Sequence, residues 1–499
     1  MITTSDKSEQ IPTTRDSLVS EDYVVKTMPR VAGTFGMTAT FVLIIFFSTN
    51  VASAIQAGAG TFTFWIIGGI TFFIPCAIAT AQLGHMFPHE GSLYNWTHKA
   101  FGGYWSFFVA FCAWFPCILL MVTASSVVVG YIQGLNPAWL VQPWQQGLVL
   151  MLLLAFSGVL AVQPLRTVLT IVKVTLGVAF LAVFLIGLAG VVSLLQGHHV
   201  ATSFSTPEDW GLTWTPKGYY ILALFGFVTQ AYLGIEVPLN MGGEIIQHKV
   251  VTRHLLWGTV LVFVGYFVTT FGVLVVQGTA QSGNPFVLVM TVDAVFGKLM
   301  GAFVALLIMF NFVVTPAVYN YAYARLLLVA GIDQYLPVKI ARLNKHRVPV
   351  NAIILQTVTA IVLAAIIYII VPLFGGSSNA ATLNSDVYNV VISASTLVWA
   401  ISTAFIFINL AKFYFNDRQA FHAQRIFPMP VLWVSIVLGT ATCAVSIIGT
   451  LVYSLIPGQI DNSHWWYIVG GITIVCLGVA GIGSMLANSE ANWQNLNKY

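Results

Sequence analysis

Charge is what this chain has least of. Only 7% of its 499 residues are Asp, Glu, Lys or Arg, where a soluble domain carries roughly a quarter. A protein folded in water needs polar side chains over its core, and this chain has too few for its length. Lipid is the solvent that removes the need. Basic runs are also missing, and the formal net charge is only +4, so nucleic acid is not an expected partner. The five cysteines (Cys76, Cys112, Cys117, Cys443 and Cys476) all lie in apolar runs and form no C-x-x-C or Cys/His pattern. They read as small core residues rather than metal ligands. The ten histidines fall mostly in expected loops (His85, His89, His98, His198, His199), and none pairs at metal-ligand spacing. There is no G-x-S-x-G, H-E-x-x-H or phosphate-binding loop. No segment between apolar runs is long enough for a soluble catalytic domain. Neither an enzyme nor a bound cofactor or metal is expected.

Hydrophobic residues make up 58% of the chain. A membrane-crossing helix needs about 20 mostly apolar residues, and twelve such runs can be marked. They span 34–57, 62–86, 103–133, 145–163, 167–195, 219–241, 254–278, 296–330, 350–372, 386–412, 430–455 and 465–487. The fold class expected is all-α integral membrane. Residues 1–30 are polar and mixed in charge, without the apolar core and cleavage site of a secretory signal, and read as a tail. Residues 31–487 form the membrane domain, and 488–499 a second tail. The third and eighth runs are long enough to tilt or to project past the bilayer.

The basic residues set an expected orientation. With the N-terminus cytoplasmic, seventeen of the twenty Lys and Arg residues fall on the cytoplasmic side; Lys217 and Lys298 fall outside, and Lys173 lies within the fifth run. This bias favours an even number of crossings of the cell's inner membrane with both termini cytoplasmic. The expected outer loops, 196–218 and 373–385, are rich in Ser, Thr, Asn, Gly and Pro. Trp210, Trp214, Trp465 and Trp466 fall at the expected outer interface, where an indole is favoured.

An ionisable residue at membrane depth is costly and is therefore a functional candidate. Glu236 in the sixth run and Lys173 in the fifth are the clearest; Glu244 and Arg325 lie nearer the ends of their runs. Glu236 belongs to the stretch Ala231-Tyr-Leu-Gly-Ile-Glu-Val-Pro-Leu-Asn-Met-Gly-Gly-Glu244. Gly234 admits backbone conformations closed to other residues. Pro238 cannot extend a hydrogen-bond ladder from the turn before it, but it can head a new helix. A break near 234–238 is expected. It would leave N–H and C=O groups that membrane depth tolerates only around a cavity or ligand. Carbonyl ends attract an ammonium and N–H ends a carboxylate, so a zwitterion fits. A proline-kinked helix with a structural glutamate is the other reading.

In the first run, Phe46-Phe-Ser-Thr-Asn-Val-Ala-Ser-Ala-Ile-Gln-Ala-Gly-Ala-Gly60 interrupts the apolar pattern. Ser48, Thr49 and Asn50 could support unwound backbone or simply sit at helix contacts. Lys173 could carry a proton or replace a bound cation; it could equally snorkel to the headgroups. Trp114, Phe115 and Pro116 could line a path or pack.

Several stretches together resemble a known family. Gly68-Gly-Ile-Thr-Phe-Phe-Ile-Pro75, then Glu90-Gly-Ser-Leu-Tyr-Asn-Trp96 and Phe101-Gly102, are similar to a signature of the amino acid–polyamine–organocation (APC) superfamily. So are Ala231 to Glu244, and Ala324-Arg325 through Asp333-Gln-Tyr-Leu-Pro337 with Val348-Pro349. The sixth run is especially similar to the branch holding the bacterial glutamate/GABA exchanger. The resemblance implies a LeuT-type fold: about twelve helices, with 1–5 (about 34–195) and 6–10 (about 219–412) as inverted repeats, 11 and 12 (about 430–487) peripheral, and helices 1 and 6 broken. By the same resemblance, Phe46, Phe47 and Ser48 present N–H groups to a substrate carboxylate, beside Thr49. Leu233, Gly234 and Glu236 meet the amino group or gate the site. Lys173 stands where other members hold sodium, next to the helix 1 break, and couples the proton together with Glu236. Many members carry a Gly-Ser-Gly run at the helix 1 break, where this chain reads Ile44-Ile-Phe-Phe-Ser48.

The function implied is secondary active transport of amino acids by alternating access, either proton-coupled or by exchange of an amino acid for an amine. A polyamine carrier is the nearest alternative, but a polyamine site should be rich in carboxylates, and Glu236 is the one clear deep acid. A channel or a nutrient sensor is more distant; a sensor would be expected to carry a larger tail. A monomer and a homodimer both fit the sequence.

Overall fold

The computed structural model describes residues 18–211, 219–373, 380–454 and 460–496. Most of tail 1–30, Trp214 and Lys217 of the expected outer loop, and part of loop 373–385 lie outside them. A short helix, α1 (Val19–Thr27), comes first. The first apolar run forms α2 (Thr34–Ile45) and α3 (Asn50–Ala54), which continues as a 3-10 turn to Ala57; the two halves meet at 45°. Then follow α4 (Gly60–Met86), α5 (Ser92–Phe101), α6 (Gly103–Leu135), α7 (Pro143–Ala161) and α8 (Leu165–Leu195). The sixth run forms α9 (Tyr219–Gln230) and, after a break, a 3-10 helix over Val237–Glu244. The rest is α10 (Lys249–Val276), α11 (Val287–Phe296), α12 (Lys298–Ile332), α13 (Val350–Leu373), α14 (Ala380–Asn416), α15 (Arg418–Gln424), α16 (Met429–Val452) and α17 (Asn462–Gln494).

Among the described residues, ten helices are long and apolar enough to cross a membrane, and the bent pair α2/α3 makes eleven. The expected span at 219–241 stands neither as a continuous helix nor as a bent pair of spanning length. The reason is local: Gly234 takes φ +103°, and Pro238 enters at the start of the second half, where a missing N–H costs nothing. The 33 residues of α6 and 35 of α12 reach roughly 50 Å at 1.5 Å per residue. That exceeds the ~30 Å hydrocarbon layer, so each tilts within it or projects beyond it.

The fold is a multi-pass membrane bundle, and its burial is inverted relative to a soluble protein. Large apolar side chains point outward along the peripheral helices: Leu152 and Val159 on α7, Phe184 on α8, Val437 and Ile448 on α16, Ile474 and Ile482 on α17. Water would penalise such a surface and lipid does not. Inside, α6 packs along α12 and α14, and α2 lies between α8 and α10 and also touches α12. Both broken runs are thereby held at the centre. Two of the tryptophans assigned to an interface, Trp465 and Trp466, diverge. Trp466 is half-exposed, whereas Trp465 is wholly buried and donates its indole N–H to the Thr450 carbonyl at 2.9 Å. Adjacent helical residues face about 100° apart, so only one of the pair can look outward.

Candidate functional site

The two breaks are adjacent and share one hydroxyl. α2 ends at Ile45, and the carbonyls of its last turn lose their helical partners. Tyr319 of α12 caps the Ile44 carbonyl at 2.5 Å. The Tyr266 hydroxyl of α10 lies 3.0 Å from the Ile45 carbonyl and 3.2 Å from the Ala231 carbonyl of the other break, so one proton serves the two acceptors in turn. The same oxygen accepts from Asn50 Nδ2 at 3.2 Å. Tyr266 is itself fixed by stacking on Trp65, with centroids 4.2 Å apart. Trp65 donates to Thr270, and its carbonyl accepts from Tyr232. Broken backbone is thus satisfied by aromatic hydroxyls from neighbouring helices.

Gly234 is required twice over. Its φ of +103° disfavours any side chain, and a Cβ there would fall 2.9 Å from Ile44 Cγ2 and 3.0 Å from Trp399 Cη2. Gly234→Ala is expected to destabilise the fold by about 1–3 kcal/mol through the backbone, with overpacking adding a similar amount. A thermal-unfolding series in detergent checks this; an unchanged melting temperature would mean the break relaxes freely.

Glu236 closes the second break from inside. It is 2% exposed, and Oε1 accepts the Trp399 indole N–H at 2.9 Å. Oε2 is buried without a protein partner, an omission that costs free energy in a dry site. The surroundings are aromatic: Trp399 meets Tyr319 and Tyr323 edge-on, and Phe47 packs on Phe312 and Tyr319. Of the three N–H groups expected to face a carboxylate, Phe46 bonds the Val42 carbonyl (2.7 Å) and Phe47 the Ile45 carbonyl (3.0 Å). The Ser48 N–H makes no hydrogen bond among the described residues. Thr49 is fully buried in the link, and Leu233 is buried beside Gly234. Two small cavities flank the breaks. One of about 10 Å³ touches Phe46, Ser48 and Asn311, and one of about 20 Å³ touches Asn50, Gln230, Ser393 and Thr396. Each has room for about one water, so admission of anything larger requires the walls to part. On the α3 side the closure is polar: Thr396 donates to Gln230 Oε1 at 2.5 Å, and Gln230 donates to Thr450 at 2.6 Å.

Lys173 is placed elsewhere. It is half-buried on α8, and its Cε lies 3.5 Å from where a Cβ on Gly36 would stand, in the first turn of α2 and ten residues before Phe46. The structure therefore brings Phe46, Phe47, Ser48, Thr49, Leu233, Gly234 and Glu236 into one region and leaves Lys173 apart. Trp114 packs on the main core, and Phe115 on the cluster of Cys112, Val398, Cys476 and Ala480. Among the described residues no group of three His, Cys, Asp or Glu side chains could hold a metal.

The α1 end is closed by charge. Arg325 of α12 reaches Glu244 through Nη2–Oε1 at 3.2 Å and Nε–Oε2 at 3.3 Å, and both residues are fully buried. The guanidinium lies over the Tyr321 ring at 3.6 Å and also donates to the Tyr321 hydroxyl. The Glu244 carbonyl takes the N–H groups of Val31 and Ala32, both at 2.9 Å, so the segment before α2 lies across this end. α1 is fastened over it. Ser20 donates its N–H and hydroxyl to Asp333 at 2.9 and 2.8 Å, while Glu21 takes Lys99 at 2.8 Å and Asn95 at 2.7 Å.

Burial raises the Asp333 carboxyl from 3.8 to about 6, against the lowering effect of the Ser20 and Tyr94 hydrogen bonds. Lifting α1 would rehydrate the carboxyl and return it towards its ordinary value. The docked state therefore binds the proton more tightly, and docking strengthens as pH falls through 6 towards 3.8. Hydrogen exchange in residues 19–27, corrected for intrinsic rate, should be slower at pH 5 than at pH 7.5. Equal or faster exchange at pH 5 would refute the sign.

Tyr266, Tyr319, Trp399 and the Glu244–Arg325 partnership escaped sequence reasoning. Glu244 and Arg325 stand 81 positions apart, and no local pattern joins them.

A family model described as amino acid permease matches residues 30–477. An uncharacterized transporter of Legionella pneumophila is 24% identical over 317 residues, covering 61% of this chain and 66% of its own length. A probable agmatine/putrescine antiporter of Lactococcus lactis, AguD, is 25% identical over 289 residues, covering 56% and 59% respectively. The match thus spans less than two thirds of each of these two relatives. The inner membrane transporter YjeM of Salmonella typhimurium is 23% identical over 496 residues, covering 88% of this chain and 93% of its own.

Proposed function

We propose a transport cycle from one premise: this chain belongs to the amino acid permease family of the APC superfamily, whose members are transporters and not enzymes. The cycle is secondary active transport of an amino acid across the cell's inner membrane by alternating access. It runs in a bundle of twelve crossings with helices 1–5 and 6–10 as inverted repeats and both termini cytoplasmic. One observation carries the reading. Two helix breaks are joined by the Tyr266 hydroxyl; among the described residues one leaves an uncommitted donor, the Ser48 N–H, and the other an uncommitted acceptor, Glu236 Oε2. A zwitterion supplies the complement of each: carboxylate to the N–H end, ammonium to the glutamate. Phe46, Phe47, Thr49, Leu233 and Gly234 shape the walls, and the aromatic ring set around Trp399 packs the substrate side chain.

The AguD name supports a second reading, an amine exchanger. A dication would want two free carboxylates. Glu244 is already paired with Arg325, which leaves Glu236 alone at the breaks and favours a substrate with one ammonium. Lys173 and Glu236 are the proposed coupling residues. Given where Lys173 lies, Lys173→Ala should alter the pH dependence of transport while leaving substrate affinity within about threefold, since a group that touches no substrate changes little binding energy. A pH profile identical to wild type would remove Lys173 from coupling.

Uptake into proteoliposomes tests the function. Vesicles preloaded with unlabelled amino acids and amines are offered labelled candidates with and without a pH gradient. Uptake that requires an internal substrate shows exchange, and gradient-driven uptake into empty vesicles shows proton symport. No uptake of any amino acid or amine, by protein shown to be folded, would overturn the reading.

A further inference from the structure

Glu90 is a buried acid that this cycle leaves unused. It lies in the link between α4 and α5 and is 2% exposed. Its Oε2 accepts the Gly243 N–H at 2.8 Å, and its Oε1 is buried without a protein partner. The link is fastened to the half-helix 237–244 at further points. The Gly91 N–H donates to the Asn240 carbonyl at 3.2 Å, and the Ser92 hydroxyl to Asn240 Oδ1 at 2.7 Å. A Cβ on Gly242 would come within 2.5 Å of the His89 carbonyl oxygen, so glycine is what permits this approach. The environment of Glu90 therefore depends on whether that half-helix is seated.

Charge counting then singles Glu90 out. Within the buried cluster of Glu90, Glu244 and Arg325, the guanidinium is committed to Glu244 through two nitrogens. With Glu90 ionised, the cluster would hold a net negative charge and an unsolvated carboxylate oxygen, an arrangement a dry interior disfavours strongly. One proton removes the net charge and leaves a neutral carboxyl, whose unpaired oxygen is far less costly to bury than an ionised one. We propose that Glu90 is a proton-binding site of the cytoplasmic gate, loaded while the half-helix 237–244 is seated and emptied when that half-helix withdraws. On withdrawal the carboxyl O–H breaks, the proton passes to a cytoplasmic water, and the carboxylate is left hydrated. The proposal rests on the alternating-access reading above. Burial, and then the neighbouring Glu244, push the Glu90 carboxyl well above its ordinary range, with Arg325 and the Gly243 N–H opposing.

The groups around it come from every packed element. The half-helix brings Glu244, and α12 brings Arg325 and Tyr321. A cavity of about 160 Å³ beside Glu90 is bordered by Glu21 of α1, Arg30, His89 and His248. Glu21 is already committed to Lys99, and burial pushes His89 down, which leaves it neutral at pH 7. This cavity gives the proton its route to the cytoplasm.

Leu239 provides the readout. It lines the same cavity and is 3% exposed, and the five native cysteines are buried. In a Leu239→Cys protein, a membrane-impermeant maleimide supplied from the cytoplasmic side should react faster as the half-helix withdraws. Rates are normalised to the same reaction on unfolded protein. They are expected to climb with rising pH, by up to about tenfold per unit where a single proton is linked. Adding Glu90→Gln should leave labelling slow and flat with pH, and Glu90→Asp should keep the dependence with a displaced midpoint. A Gln variant that follows the parent profile overturns the proposal, as does a parent profile flat in pH. If the Gln variant does not fold, an unshifted Asp midpoint overturns it. Labelling needs no substrate, so failure of the transport reading would show separately, as a protein that opens with pH yet takes up nothing.

Discussion

Glu236→Gln should abolish concentrative transport while leaving the protein folded. The shape is conserved, and the amide oxygen can still accept the Trp399 indole N–H that Oε1 accepts at 2.9 Å. What is lost is the negative charge that an ammonium would meet at Oε2. Removing one partner of a buried, hydrogen-bonded charge pair costs about 2–5 kcal/mol; the lower figure is already a loss of roughly 30-fold. The expected pattern is a melting temperature within a few degrees of wild type and uptake at or near background. Deaminated analogues, which keep the carboxylate but lack the ammonium, should lose their relative disadvantage. Binding of the wild-type substrate by the variant, measured by thermal shift, separates the roles. Retained binding with lost gradient dependence would assign Glu236 to proton coupling, and lost binding would assign it to the ammonium. Normal transport across pH 5 to 8 would make the residue structural.

How this site could be read from sequence follows from which interactions are local. The second break was legible because its cause lies within five residues: Gly234 supplies the unusual φ and Pro238 starts the next segment. Glu236 stood out because carboxylates are rare at that depth. The first break was legible only as a change of texture, since α2 ends at Ile45 without a glycine; Tyr319 and Tyr266 hold its loose carbonyls from other helices. Those tyrosines look like ordinary apolar-run residues in the sequence, and nothing local gives a hydroxyl's target away. Lys173 shows the opposite hazard. Its helix was correctly marked, but the resemblance placed it at the break, and the packing of α8 sets it against Gly36 instead. Rotation and slide between helices are set by packing across the bundle, which a single span's composition does not encode. The polar closure at Gln230 and Thr396, and the fastening of α1 to Asp333, are long-range for the same reason.

Arg325→Met should produce the largest loss of stability of any single substitution at the α1 end. Arg325 and Glu244 are both fully buried, and deleting the cation strands a carboxylate, at a cost of about 3–5 kcal/mol. The stacking of the guanidinium on Tyr321 at 3.6 Å goes with it. The decisive measurement adds Glu244→Gln. If the pair exists for stability, the double variant should remain as unstable as the single one. Physical expectation says otherwise: replacing both charges by neutral groups of similar volume is often neutral or stabilising, so the double variant should recover most of the lost melting temperature. Its transport should not recover. The pair joins the half-helix 237–244 to α12, and without it the half-helix is held by hydrogen bonds to residues 31–32 and to the Glu90–Ser92 link, and by the docked α1. Thiol labelling at position 239 should then be fast at every pH, with exchange reduced because the cycle rests open on one side. Recovery of stability and transport together would show that the ion pair is not a gate.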